Sequence, residues 1–442
     1  MSETTARRKK VVMISFDAMT REDINKTLKD CPNFKWLMEN GSRIETMRSV
    51  YPTITYPVHA SILTGCTVGR HQVFNNEKFD PTMPSPKPWN WFASSLKVPD
   101  LFQRAKEAGL TTASIFWPVT GGNENIDYLI AEYWAKQEGK MKYFTVEGFK
   151  DSGSSDQMME EIIKPHADIL DSNSRRARIG DFITATTGDV IRKYKPDLTL
   201  LHLGFIDYAR HSFGMFSDVL TEKLPWADEY LGEVFQACKD AGTFEDTNFI
   251  VLSDHGQINI DRACNLNSLL RQEGFIQVDE AGKMVHWDAA IQSTAHSCAL
   301  YLSDPNNEEL KQKVYELLCK VQEWPDSPIS RIYTAEEARD EEGLYGNFSF
   351  VLESDGHTSF GNDWNGPVFM TPDLSDYKLG KATHGYHPDR GPQPPFQAKG
   401  PDFKEGVCLG RRRLIDVAPT IGKILGFDMG EIDGKAIEEI LK

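Results

Sequence analysis

Two short segments of the chain pair a carboxylate with an imidazole. DYARH sets Asp207 four residues ahead of His211, and SDHG sets Asp254 directly before His255. Carboxylate oxygen and imidazole nitrogen together suit zinc and related divalent cations. On a helix, positions i and i+4 share a face, so Asp207 and His211 are spaced to grip one ion. A third carboxylate, Asp17, follows the apolar run VVMISF. His384 stands in a glycine-bearing loop, THGYHP, which taken alone leaves its role open. Thr55 lies just before a short helix expected around Pro57, with Gly65 to close it. A hydroxyl there meets free backbone N–H groups and the positive helix end, which favour an anion. The same position would equally suit a plain helix cap.

The ordinary explanations of such residues are common. An aspartate after a strand is most often a cap or turn former. A lone histidine is more often a surface or satisfied core residue than a ligand, and that description is applied to His166, His202, His286, His296, His357 and His387. The carboxylate–imidazole pairs are what raise the metal reading above this background.

These residues need elements that bring them together. Val11–Phe16, Thr112–Phe116, Leu198–Ile206 and Asn248–Leu252 read as buried strands. Helical patterns fall between them at Asn33–Asn40, Val98–Ala108, Arg175–Lys195 and Ala227–Ala241. Alternation of this kind predicts an α/β fold with a mostly parallel sheet. Three of the strands are followed by Asp17, Asp207 and Asp254, and parallel strands end on one edge, where open sheets bind ligands. The segment 264–379 has a different texture, with helices expected at Asn307–Gln322 and Ala335–Glu342. Short strands are expected there at Phe275–Val278, Ala299–Leu302 and Phe348–Leu352. It reads as a smaller α+β lobe inserted into a catalytic core of residues 1–263 and 380–442. Pro392–Pro401 reads as a loop, and a packing helix and a short tail helix follow from Leu414.

Composition bounds the partners. The chain has 442 residues, 40% hydrophobic and 26% charged, enough for a large core. A formal charge of −16 argues against binding nucleic-acid polymers, which needs a basic footprint. The N-terminal MSETTARRKK is polar, and the apolar run after it is too short for a signal core or membrane span. The expectation is a soluble, cytoplasmic protein without a membrane partner, and nothing in the sequence specifies an oligomeric state. Seven cysteines are scattered singly, suggesting buried small side chains rather than disulfides or a thiolate zinc site.

The segments PTITYPVH, LTG and HQVFNN, with SFDAM, CPNFKWLMENG, FWPVTGG, DYARH, SDHG, THGY and IDVAPTIGKILG, occur in order along almost the whole chain. In that order and spacing they resemble the nucleotide pyrophosphatase/phosphodiesterase family of the alkaline phosphatase superfamily. The resemblance implies a three-layer α/β/α fold and a two-metal hydrolase with Thr55 as nucleophile and a covalent phosphothreonine intermediate. It implies Asp17, Asp254 and His255 as ligands of the ion that also holds Thr55. Asp207, His211 and His384 would then bind the second ion. Asn76 would hold a non-bridging phosphoryl oxygen. Val58 and Gln72 depart from the family motif, which has asparagine and glycine there, and the family's secretory context is missing.

A threonine hydroxyl is a poor nucleophile at neutral pH and is activated by cation coordination. Zinc best suits the ligand set, with manganese or iron able to use the same donors. A neutral Asn76 suits a monoanionic phosphodiester or pyrophosphate of nucleotide type better than a dianionic monoester. Tyr56 is expected to line the pocket or stack on a nucleobase. Trp117, Tyr133 and Trp134 are weaker candidates for the opposite wall. Two other readings stand beside this one: a phosphomonoesterase or a phosphonate or sulfate ester hydrolase on the same scaffold, and a catalytically silent metal-binding protein.

Overall fold

The computed structural model describes residues 9–83, 87–137 and 140–442, so the first eight residues of the polar N-terminal stretch lie outside it. Its main sheet comprises β1 (Lys10–Phe16), β2 (Ser42–Arg48), β3 (Thr112–Ile115), β4 (Tyr128–Ile130), β5 (Leu198–Leu203), β6 (Thr247–Leu252), β7 (Phe396–Lys399) and β8 (Cys408–Arg413). The order across the sheet is β8-β2-β7-β6-β1-β5-β3-β4. Every neighbouring pair is parallel except those of β7, which runs antiparallel to β2 and β6.

Successive side chains on a strand point to opposite faces, and β1 feeds two cores in this way. Val11 and Met13 join a cluster with residues of α2 (Thr55–Thr64) and α3 (Leu101–Glu107), and with the C-terminal helix Val417–Leu425. Val12, Ile14 and Phe16 join a second cluster with α1 (Pro32–Asn40) and with helices Arg178–Tyr194 and Pro225–Asp240. Helices thus cover both faces, giving the three-layer α/β/α arrangement.

Between β6 and β7 the chain builds a separate four-stranded antiparallel sheet from Ala289–Ser293, Ser297–Leu302, Ile329–Thr334 and Phe350–Ser354. Leu300, Leu302, Phe350 and Leu352 pack with Val314, Leu318 and Val321 of helix Glu308–Gln322. Tyr301, Tyr333 and Val351 instead join the core beneath the main sheet.

Some elements differ from the sequence expectation. The strand expected over Leu198–Ile206 stops at Leu203, because Gly204 caps a helix, α4 (Phe205–Phe213). Asp207 therefore sits in a helix's first turn rather than at a strand end. The loop expected over Pro392–Pro401 contains β7: Pro394 and Pro395 precede the strand without interrupting it, and Phe396 and Ala398 are buried. Cys31 and Cys319 are only partly buried and Cys408 is exposed, contrary to the expectation of seven buried thiols.

Candidate active site

β1 and β6 are adjacent and parallel, so the residues just beyond their C-terminal ends, Asp17 and Asp254, come together. The His255 imidazole donates from Nδ1 to the Gly256 carbonyl at 3.1 Å, which leaves a lone pair on Nε2. That nitrogen lies 3.1 Å from Asp254 Oδ2 and 3.5 Å from Asp17 Oδ1. Thr55 Oγ1 is 3.2 Å from the same nitrogen. Thr55 is the first residue of α2, and Ile54, at the cap position, makes no side-chain cap bond. The Thr55 hydroxyl faces His255 instead of closing the helix end.

The second group is built on α4. Asp207 and His211 lie one turn apart, with His211 Nε2 3.0 Å from Asp207 Oδ2. His211 Nδ1 donates to the Ala382 carbonyl at 2.8 Å, so here too Nε2 turns a lone pair toward a carboxylate. His384 Nε2 is 3.9 Å from Asp207 Oδ1. The His255 and His384 ring centroids are 4.3 Å apart, which makes the two groups neighbours.

Both groups fit a cation. Potential ligand atoms of Asp17, Asp254 and His255 lie within 4.8 Å of one another, as do those of Asp207, His211 and His384. Asp17 Oδ1, Asp254 Oδ2, His211 Nε2 and His384 Nδ1 are buried without a hydrogen-bond partner among the described residues. Burial, and then the neighbouring Asp254 carboxylate, push the Asp17 carboxyl well above its ordinary value. Burial and the adjacent His255 drive His384 well below its own. Asp207 resists burial and is held below the usual carboxylate range by His211. Lone pairs facing carboxylates in so buried a site leave a positive charge to be supplied. A third group, Glu342, His387 and Asp389, has its positive charge already, since Arg48 bonds both carboxylates.

Asn76 is brought beside Thr55 by the backbone. The Tyr56 N–H donates to Asn76 Oδ1 at 2.9 Å, which turns the amide nitrogen away toward the site. The helix-start N–H expected to meet the anion is thus partly spoken for. Of the two expectations for Tyr56, lining the pocket or stacking on a base, stacking does not fit its surroundings. Its ring is 0% exposed and lies edge-on to Trp89 at 5.2 Å, leaving no face for a base. Trp117 is likewise enclosed, edge-on to His59, while Tyr133 and Trp134 pack against Trp91.

Several neighbours of the site had no signal in the sequence. His202 Nε2 donates to Asp17 Oδ2 at 3.2 Å. His59 donates from Nδ1 to the Thr55 carbonyl at 2.8 Å and accepts from Ser15 Oγ at 2.9 Å. Burial lowers both imidazoles to about 3, so they act as neutral supports. Gln257 Nε2 bonds the Asp207 carboxylate. Burial pushes the Glu132 carboxyl up to about 8 against the pull of the Tyr56 hydroxyl, with Asp207 and Asp254 adding to the rise. Gln72, where the family motif has glycine, adopts φ +65°, a left-handed conformation that glycine takes without strain.

Comparison with known proteins gives a consistent picture. The family model described as "Type I phosphodiesterase / nucleotide pyrophosphatase" matches residues 11–387. Human ectonucleotide pyrophosphatase/phosphodiesterase family member 5 is 24% identical over 281 residues, 62% of this chain and 50% of that protein. Venom phosphodiesterase from Naja atra is 24% identical over 263 residues, 58% of this chain and 27% of that protein. The chain thus spans about a quarter to a half of the length of these curated relatives. The solved structure of murine ectonucleotide pyrophosphatase/phosphodiesterase 5 superposes with a TM-score of 0.69 at 18% identity, covering 98% of this chain and 100% of that one. An inactive threonine-to-alanine variant of the murine protein, in complex with AMP, superposes with the same TM-score of 0.69 at 17% identity and the same coverage, 98% and 100%. Both neighbours share the alkaline-phosphatase-like fold seen here.

Proposed function

Because the chain belongs to the type I phosphodiesterase/nucleotide pyrophosphatase family, we propose that it hydrolyses phosphodiester or pyrophosphate bonds in small nucleotide-type substrates. The observation that carries this reading is the Thr55 hydroxyl, 3.2 Å from His255 Nε2 and beside Asp17 and Asp254. Asp17, Asp254, His255 and Thr55 would hold one divalent ion, and Asp207, His211 and His384 a second. Ions bound there supply positive charge that lowers the pKa of an oxygen nucleophile and stabilises a departing oxygen.

Thr55 Oγ1, its proton released to solvent, forms the bond to phosphorus as the ester or anhydride bond opposite it breaks, and the departing oxygen leaves as an anion or takes a proton from solvent, giving a covalent phosphothreonine. Water then attacks phosphorus and restores the hydroxyl. Asn76 Nδ2 donates to a non-bridging oxygen throughout. His59 and His202 keep the Thr55 carbonyl and Asp17 in place. The murine neighbour, inactive as a threonine-to-alanine variant and binding AMP, supports a threonine at the centre of the chemistry and a nucleotide-type substrate.

Steady-state kinetics on matched p-nitrophenyl diester, monoester and sulfate substrates tests the reading. The diester should be preferred, and Thr55→Ala should lower its turnover roughly 1000-fold or more. A monoester preference of several orders, or wild-type turnover in Thr55→Ala, would overturn it. Zinc is the ion the donor set suits best, and elemental analysis of the purified protein decides between zinc, manganese and iron.

A further inference from the structure

Tyr377 borders the site and has no part in the mechanism above. It opens a short turn, Tyr377–Leu379, capped by Asp376. Its hydroxyl oxygen accepts from Asn76 Nδ2 at 3.4 Å, a long contact. Its ring packs against the imidazoles of His211 and His384, with centroids 5.6 and 5.7 Å away. Trp89 closes another side at 5.7 Å. The phenol therefore lies where the Asn76 amide meets the Asp207–His211–His384 group. Its own O–H proton has no acceptor among the described residues.

The turn is anchored from below. Lys378 is 1% exposed, and its Nζ lies 3.1 Å from Glu77 Oε1 and 3.1 Å from Asp376 Oδ2. Glu77 follows Asn76 in the chain, and Gln292 Nε2 bonds its carbonyl at 3.0 Å. A buried ion pair contributes little net stability, yet it fixes the relative placement of the segments that carry it. Here those segments carry Asn76 and Tyr377.

We propose that Tyr377 is a further substrate-contacting residue whose phenol O–H joins the Asn76 amide in holding a non-bridging phosphoryl oxygen, with the Glu77–Lys378 pair setting the spacing of the two donors. A phosphoryl oxygen arriving between them takes the Asn76 N–H from the phenol and accepts the phenol's own proton as well. Two neutral donors match the single negative charge of a diester. This inference rests on the assignment of Thr55 and Asn76 to the phosphoryl site.

Tyr377→Phe keeps the ring and removes the hydroxyl. The metal-loaded wild type, Tyr377→Phe and Thr55→Ala are compared by bis(p-nitrophenyl) phosphate kinetics, by calorimetric binding of inorganic phosphate, by metal content and by melting temperature. Tyr377→Phe is expected to lose roughly 10- to 100-fold in kcat/KM and to bind phosphate several-fold more weakly, with metal content and melting temperature unchanged. If Thr55→Ala is inactive while Tyr377→Phe matches the wild type in both kcat/KM and phosphate affinity, the inference falls and the reading of the site stands. If Thr55→Ala turns over like the wild type, the underlying reading itself fails. A drop in the metal content of Tyr377→Phe would also overturn the inference, since the residue would then be supporting the ligands rather than the substrate.

Discussion

Asn76 turns its nitrogen toward the Tyr377 hydroxyl because its oxygen already has a donor, the Tyr56 N–H at 2.9 Å. A buried backbone amide needs an acceptor, so the side chain cannot flip without cost. Asn76→Asp keeps that acceptor and places a second carboxylate oxygen where the N–H had been. This variant should fold normally and lose roughly 100- to 1000-fold in diester kcat/KM, more than Asn76→Ala loses. Kinetics in which the aspartate variant outperforms the alanine one would show that no phosphoryl oxygen meets this position. Thr55 and Asn76 could be named as candidates from the sequence because each belongs to a segment of recognisable spacing. His202 and Tyr377 each reach the site as one side chain with no partner at a fixed interval, and Gln257, directly after SDHG, turns its amide to the Asp207 carboxylate, a use that its place in the chain does not announce. His59 lies one helical turn after Thr55, yet its imidazole serves Ser15 and the Thr55 carbonyl, a use that spacing does not announce.

The loop that presents His384 is held by its neighbours at several points. Gly385 donates to the Thr53 carbonyl at 2.8 Å and accepts from Ser297 Oγ at 2.5 Å. It adopts φ +90°, and a Cβ there would collide with the Thr294 carbonyl oxygen. Gly385→Ala therefore combines a disfavoured backbone conformation with overpacking, and should cost about 3 kcal/mol of stability. Chemical denaturation would measure that loss, and a melt indistinguishable from the wild type would rule out the strain. Gly385 was visible in the sequence only as part of a loop. The strands that precede Asp17 and Asp254 were readable because buried parallel strands are continuously apolar. β2 and β8 were not: SRIETMR and CLGRRR carry charges, because β8 lies at an edge of the sheet with no buried side chain, and β2 beside it leaves Glu45 exposed and its two arginines half-buried. Asp207 was legible as a site residue but placed on the wrong element, because Phe205 and Ile206 continue an apolar run that Gly204 had already ended.

Glu353 lies on the seam between the four-stranded sheet and the core. Its Oε2 accepts from the Tyr51 hydroxyl at 2.7 Å and its Oε1 from the His387 N–H at 2.9 Å, with Arg390 Nη1 3.5 Å away. Burial outweighs these partners and pushes the carboxyl from 4.5 up to about 7. A group whose folded pKa is raised binds its proton more tightly in the folded state. Its contribution to stability is therefore fully present below about pH 4.5 and lost as pH rises through about 7. Between about pH 5.5 and about pH 8 the wild type should lose roughly 2 kcal/mol that Glu353→Gln does not lose. Urea melts at the two pH values check this, and parallel pH dependences would count against it. The central sheet has a different consequence, one of timing. β7 enters between β2 and β6 and pairs with both, yet it lies far downstream of either in the chain. While the polypeptide is being synthesised, β6 waits as the open edge of the sheet it forms with β1, β5, β3 and β4, and β2 waits as a strand without a neighbour, because β8 also lies downstream; each is a template for the wrong partner. A chain stopped short of residue 396 would therefore be an unfinished sheet with one sticky edge and one unpaired strand rather than a smaller folded molecule.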